Sequence, residues 1–204
     1  MTNLFYPRLV LSLIATGITI YGYFPYFRDV FAKKTQPHMY TWLIWMITQG
    51  TATVGILKGG GGLGSIGWIV GTLLVVVMFL FTFKYGTKNI HPLDGWVLAA
   101  ALSAIVVWWQ LHNPMLAVIM VSVIDGLGYI PTLRKSFAEP WSETVLYWFL
   151  MALASLLTIA SLEHLNLLTL LYPLTLGFAN IIVCTTCYFR RKIIPGLPGV
   201  KTLG

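Results

Sequence analysis

One carboxyl group lies deep inside an apolar stretch of this chain: Asp125, in Val121-Ser122-Val123-Ile124-Asp125-Gly126. An ionised carboxylate surrounded by hydrocarbon costs a few kcal/mol or more. Asp125 must therefore face a cavity, pair with a polar group or carry a proton. Two chemistries follow. The carboxyl could bind and release a proton and so couple proton movement to a solute. It could also hold a donor group of the solute itself. The structural alternative is a carboxyl bonded to Thr19 or to another helix, holding the packing together.

Trp42, Trp45 and Gln49 follow at steps of three and four, which places them on one face of a helix. Trp supplies a flat apolar platform, and Gln supplies a donor and an acceptor. That pairing suits a planar ring or the face of a sugar. Trp42 and Trp148 also fit as anchors at a membrane interface, as do Trp108 and Trp109. Asn180 sits mid-span in the last apolar stretch, where an amide needs partners. Thr16 and Thr19, with Ser122 and Asp125, continue a polar stripe on two equivalent helices. Polar contacts of this kind also join helices without further function, at about 0.6 kcal/mol each.

Several chemistries lack their residues. His38, His91, His112 and His164 fall in loops or at helix ends and form no metal-ligand spacing. No glycine-rich loop precedes Lys-Ser or Lys-Thr, so no ATP site is expected. The last span has no central lysine for a retinal Schiff base. Cys184 and Cys187 sit in an apolar helix without acidic or His partners and read as small packing residues. No enzyme chemistry and no cofactor are expected.

The elements that position these residues follow from composition. The chain has 204 residues, 57% hydrophobic and 9% charged. Soluble domains carry about 25% charged residues. The apolar runs match helices crossing a hydrocarbon core, at about 20 residues each. Seven spans are expected, near 5–27, 38–57, 63–84, 95–111, 114–134, 144–162 and 167–189, in an all-α integral membrane protein. Gly22, Tyr23, Pro25, Arg28, Phe31, Ala32 and Trp42 recur as Gly128, Tyr129, Pro131, Arg134, Phe137, Ala138 and Trp148, always 106 positions later (131 − 25). Chance, at about 6% per position, gives roughly one or two matches over such a stretch. The chain is therefore a duplication: a first three-helix bundle (1–90), a linker helix (91–112), a second bundle (113–192) and a tail (193–204). Three helices reverse the chain, so the linker helix is needed to bring the second copy back to the first one's orientation.

Basic residues divide eleven to two across the expected spans. Arg28, Lys33, Lys34, Lys84, Lys88, Arg134, Lys135, Arg190, Arg191, Lys192 and Lys201 share one side, against Arg8 and Lys58. This places the N-terminus outside and the C-terminus in the cytoplasm, in a plasma membrane of bacterial or archaeal type. The net charge of +7 then serves orientation and anionic headgroups rather than nucleic acid. Arg28 and Arg134 are expected to anchor the inner mouth. Pro25 and Pro131 interrupt equivalent helices and read as paired hinges, softened by Gly22 and Gly128.

Two three-helix units joined by an inverting helix, with a proline late in the first helix of each, resemble the SWEET and PQ-loop superfamily. Members often show Pro-Gln there; this chain has Pro25-Tyr26 and Pro131-Thr132. The resemblance implies alternating access by two rocking bundles, with a solute site on the axis between them. Sugar-transporting relatives place an Asn in the corresponding helix of each unit. Asn180 matches it in the second, while Leu74 stands in the first. The Trp-x-x-Trp-x-x-x-Gln spacing is similar to the Trp-x-x-Trp-x-x-x-Asn of PnuC-type nicotinamide riboside transporters. The expected function is a secondary carrier or facilitator of a small polar solute such as a sugar, amino acid or vitamin. Trp45, Gln49, Asn180, Asp125, Thr19 and Ser122 are the site residues, and the oligomeric state is open. The alternative is a receptor or an assembly or trafficking factor on the same scaffold.

Overall fold

A computed structural model describes residues 5–58, 65–110, 114–161, 165 and 167–195. Among these residues the chain is all-helical. The helices are α1 (Phe5–Phe31), α2 (Met39–Lys58), α3 (Ser65–Tyr85), α4 (Pro92–Trp109), α5 (Pro114–Ala138), α6 (Val145–Ser161) and α7 (Leu167–Ile193), with a 3-10 turn at Pro140–Ser142 before α6. Two helical stretches, Tyr6–Phe31 and Leu170–Ile193, are long and apolar enough to cross a membrane. Gly59–Gly62, His112, Asn113, Glu163, His164, Asn166 and the tail from Gly196 lie outside the described residues, as do the side chains of Lys58, Trp108 and Trp109.

Local chemistry sets the helix ends. α1 runs through Pro25 to Phe31 and stops where Lys33 turns left-handed, at φ 57°. Lys33 N–H and Lys34 N–H then donate to the carbonyls of Val30 and Asp29. This is the reversal that closes many helices, here on a lysine rather than a glycine. α4 opens with a reciprocal cap. His91 Nδ1 accepts from Leu93 N–H at 3.2 Å, and the Asp94 carboxylate reaches back to His91 N–H at 2.8 Å. Pro92 occupies the first helical position, where its missing N–H costs nothing. Helices α1 and α5 extend past the expected spans of 5–27 and 114–134. Hydropathy falls at the charges near their ends, but the backbone bonds continue through them.

The packing repeats with the sequence. α3 packs on α1 and α2, and α7 packs on α5 and α6. The two triplets meet through α1 on α6 and α2 on α5, which are the same contact with the copies exchanged. α4 lies against α5 and α2. Glycines allow both crossings. A methyl at Gly22 would stand 2.6 Å from Met151 Cε, and one at Gly128 would stand 3.0 Å from Trp45 Nε1. Met151 and Trp45 are themselves 106 positions apart. Gly71 against Gln49 and Gly177 against Ser155 form a second such pair. Every residue in these contacts has its mate at the same offset, so the duplication is one of packing as well as of residues.

One end of the molecule gathers the C-terminal ends of α1, α3, α5 and α7. Gln36 N–H donates to Ser142 O, Thr87 N–H to Pro37 O, and Trp141 Nε1–H to Ile194 O at 2.8 Å. α1 and α5 therefore point the same way. Above this end lies an aromatic core of Tyr23, Tyr26, Trp42, Trp45, Tyr147 and Trp148. Tyr26 and Tyr147 meet at 4.5 Å between centroids with their planes tilted by 47°, and Trp42 meets Trp45 edge-on at 5.2 Å. Trp42 and Trp148 are each 1% exposed, so neither is the interface anchor that its position suggested. The rings of Tyr23, Tyr26 and Tyr147 pack against Trp42, and those of Tyr26, Tyr129 and Tyr147 against Trp148, taking the place of solvent.

Candidate functional site

A cavity of about 420 Å³ lies between the triplets. Its floor is the aromatic core, at Tyr23, Tyr129 and Tyr147, and it extends along α1 and α6 to Ser12 and Thr158. Of the residues expected at a site, Trp45, Gln49, Asn180, Asp125 and Thr19 all line it, although they come from α1, α2, α5 and α7. Thr16, from the same polar stripe as Thr19, and Ser155, which stands 106 positions after Gln49, line it too. Ser122 is buried on α5 and is not among the lining residues.

The hydrogen bonds divide the cavity into used and unused groups. Tyr172 O–H donates to Asp125 Oδ2 at 2.6 Å. Asp125 Oδ1 is buried without a hydrogen-bond partner, and so is Trp45 Nε1. The Thr48 hydroxyl stands beside the Asp125 carboxyl but donates to the carbonyls of Ile44 and Trp45. Tyr129 O–H donates to Asn180 Oδ1 at 3.2 Å. The hydroxyls of Thr16, Thr19 and Ser155 donate to carbonyls of their own helices at 2.9, 3.0 and 2.9 Å. Their oxygens remain as acceptors. Asp125 is thus bonded to Tyr172 on another helix, and not to Thr19.

Residues that the sequence did not single out complete the walls. Tyr23 and Tyr129 belong to the repeated motif, so their pairing was a readable signal. Tyr147 precedes the repeated Trp148. Tyr172 has no such signal, because the residue 106 positions before it is the apolar Ile66. Pro173, a third proline inside a helix, also lines the cavity. Pro25 and Pro131 are buried on α1 and α5, and both helices continue past them.

The opposite end is closed by paired charges. Arg134 donates to Asp94 through Nε at 2.9 Å and through one terminal nitrogen at 2.6 Å, and to the Asn89 side chain and carbonyl at 2.9 and 2.7 Å. His38 Nε2–H donates to Asp94 Oδ2 at 3.2 Å. His38 lies in the loop before α2, and burial pushes its imidazole down to about 4 despite the Asp94 charge, leaving it neutral. Lys135 is fully buried, paired with Glu143 and bonded to the Gln36 carbonyl. Arg134 and Lys135 therefore serve this closure, and Arg134 is not the headgroup anchor expected of it. Arg28 is exposed beside Asp29. Cys187 is buried and Cys184 packs against the core; both are free thiols. No protein-family model, no curated protein and no solved structure matches the chain.

Proposed function

We propose that this chain is a secondary carrier or facilitator of a small polar solute, working by alternating access across a membrane. In this reading the seven helices span the bilayer as two parallel three-helix bundles joined by α4, as in the SWEET and PQ-loop architecture. The N-terminus faces out and the C-terminus faces the cytoplasm. The composition supports it, as do the bare apolar flanks: Phe24, Phe83, Trp96, Phe149 and Phe178 are all exposed. Surfaces of this kind belong against lipid or a partner rather than water.

The observation that carries the reading is the cavity. It lies between two triplets of matching packing, and it carries one carboxylate oxygen and one indole N–H that are buried with nothing to bond. A closed layer of rings and ion pairs lies on one side of it. Rocking the triplets about the glycine crossings, with Pro25 and Pro131 as hinges, would open that layer and close the other side. In this reading Asp125 couples a proton to the cycle.

Flux tests the proposal. In proteoliposomes the protein should give saturable uptake of a solute found by thermal-shift screening, and Trp45→Ala should abolish it. Asp125→Asn should lose accumulation against a gradient but keep exchange. A protein that binds the solute in the cavity without moving it would be a receptor, and the carrier reading would fall.

A further inference from the structure

The unused groups of the cavity describe what it takes. Asp125 is 2% exposed, and no Lys, Arg or His is among the described lining residues. The basic groups further along α5, Arg134 and Lys135, are engaged with Asp94 and Glu143. A carboxylate buried without a counter-charge is costly. Tyr172 satisfies one oxygen, and the other is open. The walls are rings whose polar ends are already occupied: Tyr129 gives its proton to Asn180, and Tyr172 gives its proton to Asp125. What the rings still offer is their π faces, which attract cations. The threonine and serine hydroxyls offer lone pairs. Asp125 Oδ1 and Trp45 Nε1–H are the acceptor and the donor of the cavity that are buried and unbonded, and the amide N–H2 groups of Gln49 and Asn180 are further donors on its wall.

A neutral polyol would find partners in the amides and hydroxyls but would leave the charge of Asp125 without a counter-charge. An anion would meet Asp125 at close range. From these groups we infer that the cavity selects a small primary or secondary organic ammonium, which donates N–H to Asp125 Oδ1, lays its body against the tyrosine and tryptophan rings, and presents an acceptor to Trp45 Nε1. This inference rests on the cavity being the solute site. The ammonium supplies the charge that the protein withholds, and a proton competes with it for the same oxygen. The volume lies at the small end of the usual 300–1,000 Å³ for ligand sites, which excludes peptides and dinucleotides.

Three probes separate the terms: tyramine, its neutral isostere 4-(2-hydroxyethyl)phenol, and the N,N,N-trimethyl derivative of tyramine. Calorimetry in detergent, with tryptophan fluorescence as a second readout, gives their affinities. Tyramine should bind about tenfold tighter than the alcohol, the scale of one charge-assisted hydrogen bond. The trimethyl derivative, which keeps the charge but has no N–H, should fall between them. Asp125→Asn should erase the difference between tyramine and the alcohol. Tyr172→Phe keeps the carboxylate and should retain the difference, which guards against a variant that merely misfolds. An alcohol that binds as tightly as the amine, a preference that survives Asp125→Asn, or no binding of any probe overturns the inference. Transport of a neutral solute alone would sink the ammonium and spare the carrier. Asp125-dependent amine binding without flux would do the reverse.

Discussion

Replacing Asp94 with asparagine should loosen the closed end. The Asp94 carboxylate accepts two bonds from Arg134, one from His38 and one from the His91 backbone. Asparagine keeps the shape, loses the charge and turns an N–H2 toward donors. Breaking a buried ion pair on one side costs about 3–5 kcal/mol. Arg134 keeps 23% exposure, so water recovers part of the loss, and the lower figure of about 3 kcal/mol applies. If that energy holds the end shut, the open fraction rises on the order of a hundredfold. Thr41 reports the change. It is buried beneath the charge layer, bonded to Thr132 at 2.9 Å, and on the far side of the aromatic floor from the cavity. In a background with Cys184→Ser and Cys187→Ala, Thr41→Cys should react with a charged methanethiosulfonate at least tenfold faster once Asp94→Asn is added. Arg28→Ala, which removes an exposed pair, should change nothing. Equal labelling rates with and without Asp94→Asn would refute the idea that this layer seals the protein.

Other outcomes follow from single contacts. Gly128→Ala should cost about 1–3 kcal/mol, because the new methyl meets the fixed ring of Trp45, whereas Gly22→Ala should cost less, because Met151 Cε can swing away from a nominally closer approach; equal losses of melting temperature would count against this. Lys33→Gly should stabilise by about 1 kcal/mol, since Lys33 holds a left-handed φ of 57° at the end of α1; a drop in melting temperature would show that the lysine side chain matters more. His38 should make the fold acid-sensitive. Its folded imidazole stays neutral until about 4, so between the unfolded value near 6.5 and that point the unfolded chain alone gains a proton. The stability it contributes is present above that window and is lost as pH falls through it. Wild type should therefore lose more melting temperature between pH 7.5 and 5 than His38→Gln; parallel losses would exclude His38 as the cause.

Much of the site was legible because it obeys local rules. Trp45 and Gln49 share a helical face by spacing alone. Asp125 and Asn180 are noticeable as polar groups in apolar runs, and depth in a helix is a property of neighbours in sequence. The duplication named Tyr23 and Tyr129 without assigning them a role. Tyr172 was not legible, because nothing in its own helix marks the hydroxyl that meets Asp125 across 47 positions. Ser122 was misplaced for a related reason: a stripe along a helix does not say which part of it reaches open space.

The sequence by itself determined an all-helical chain, its duplicated halves and the polar residues carried within apolar stretches, since each depends on composition and periodicity that a short window contains. Tertiary structure alone decided that Trp42 and Trp148 are covered, that Arg134 meets Asp94, and that one oxygen of Asp125 and the indole nitrogen of Trp45 are left unbonded in the same cavity. Those outcomes depend on which helices become neighbours, and a burial or a hydrogen bond between distant segments has no spacing in the chain to announce it.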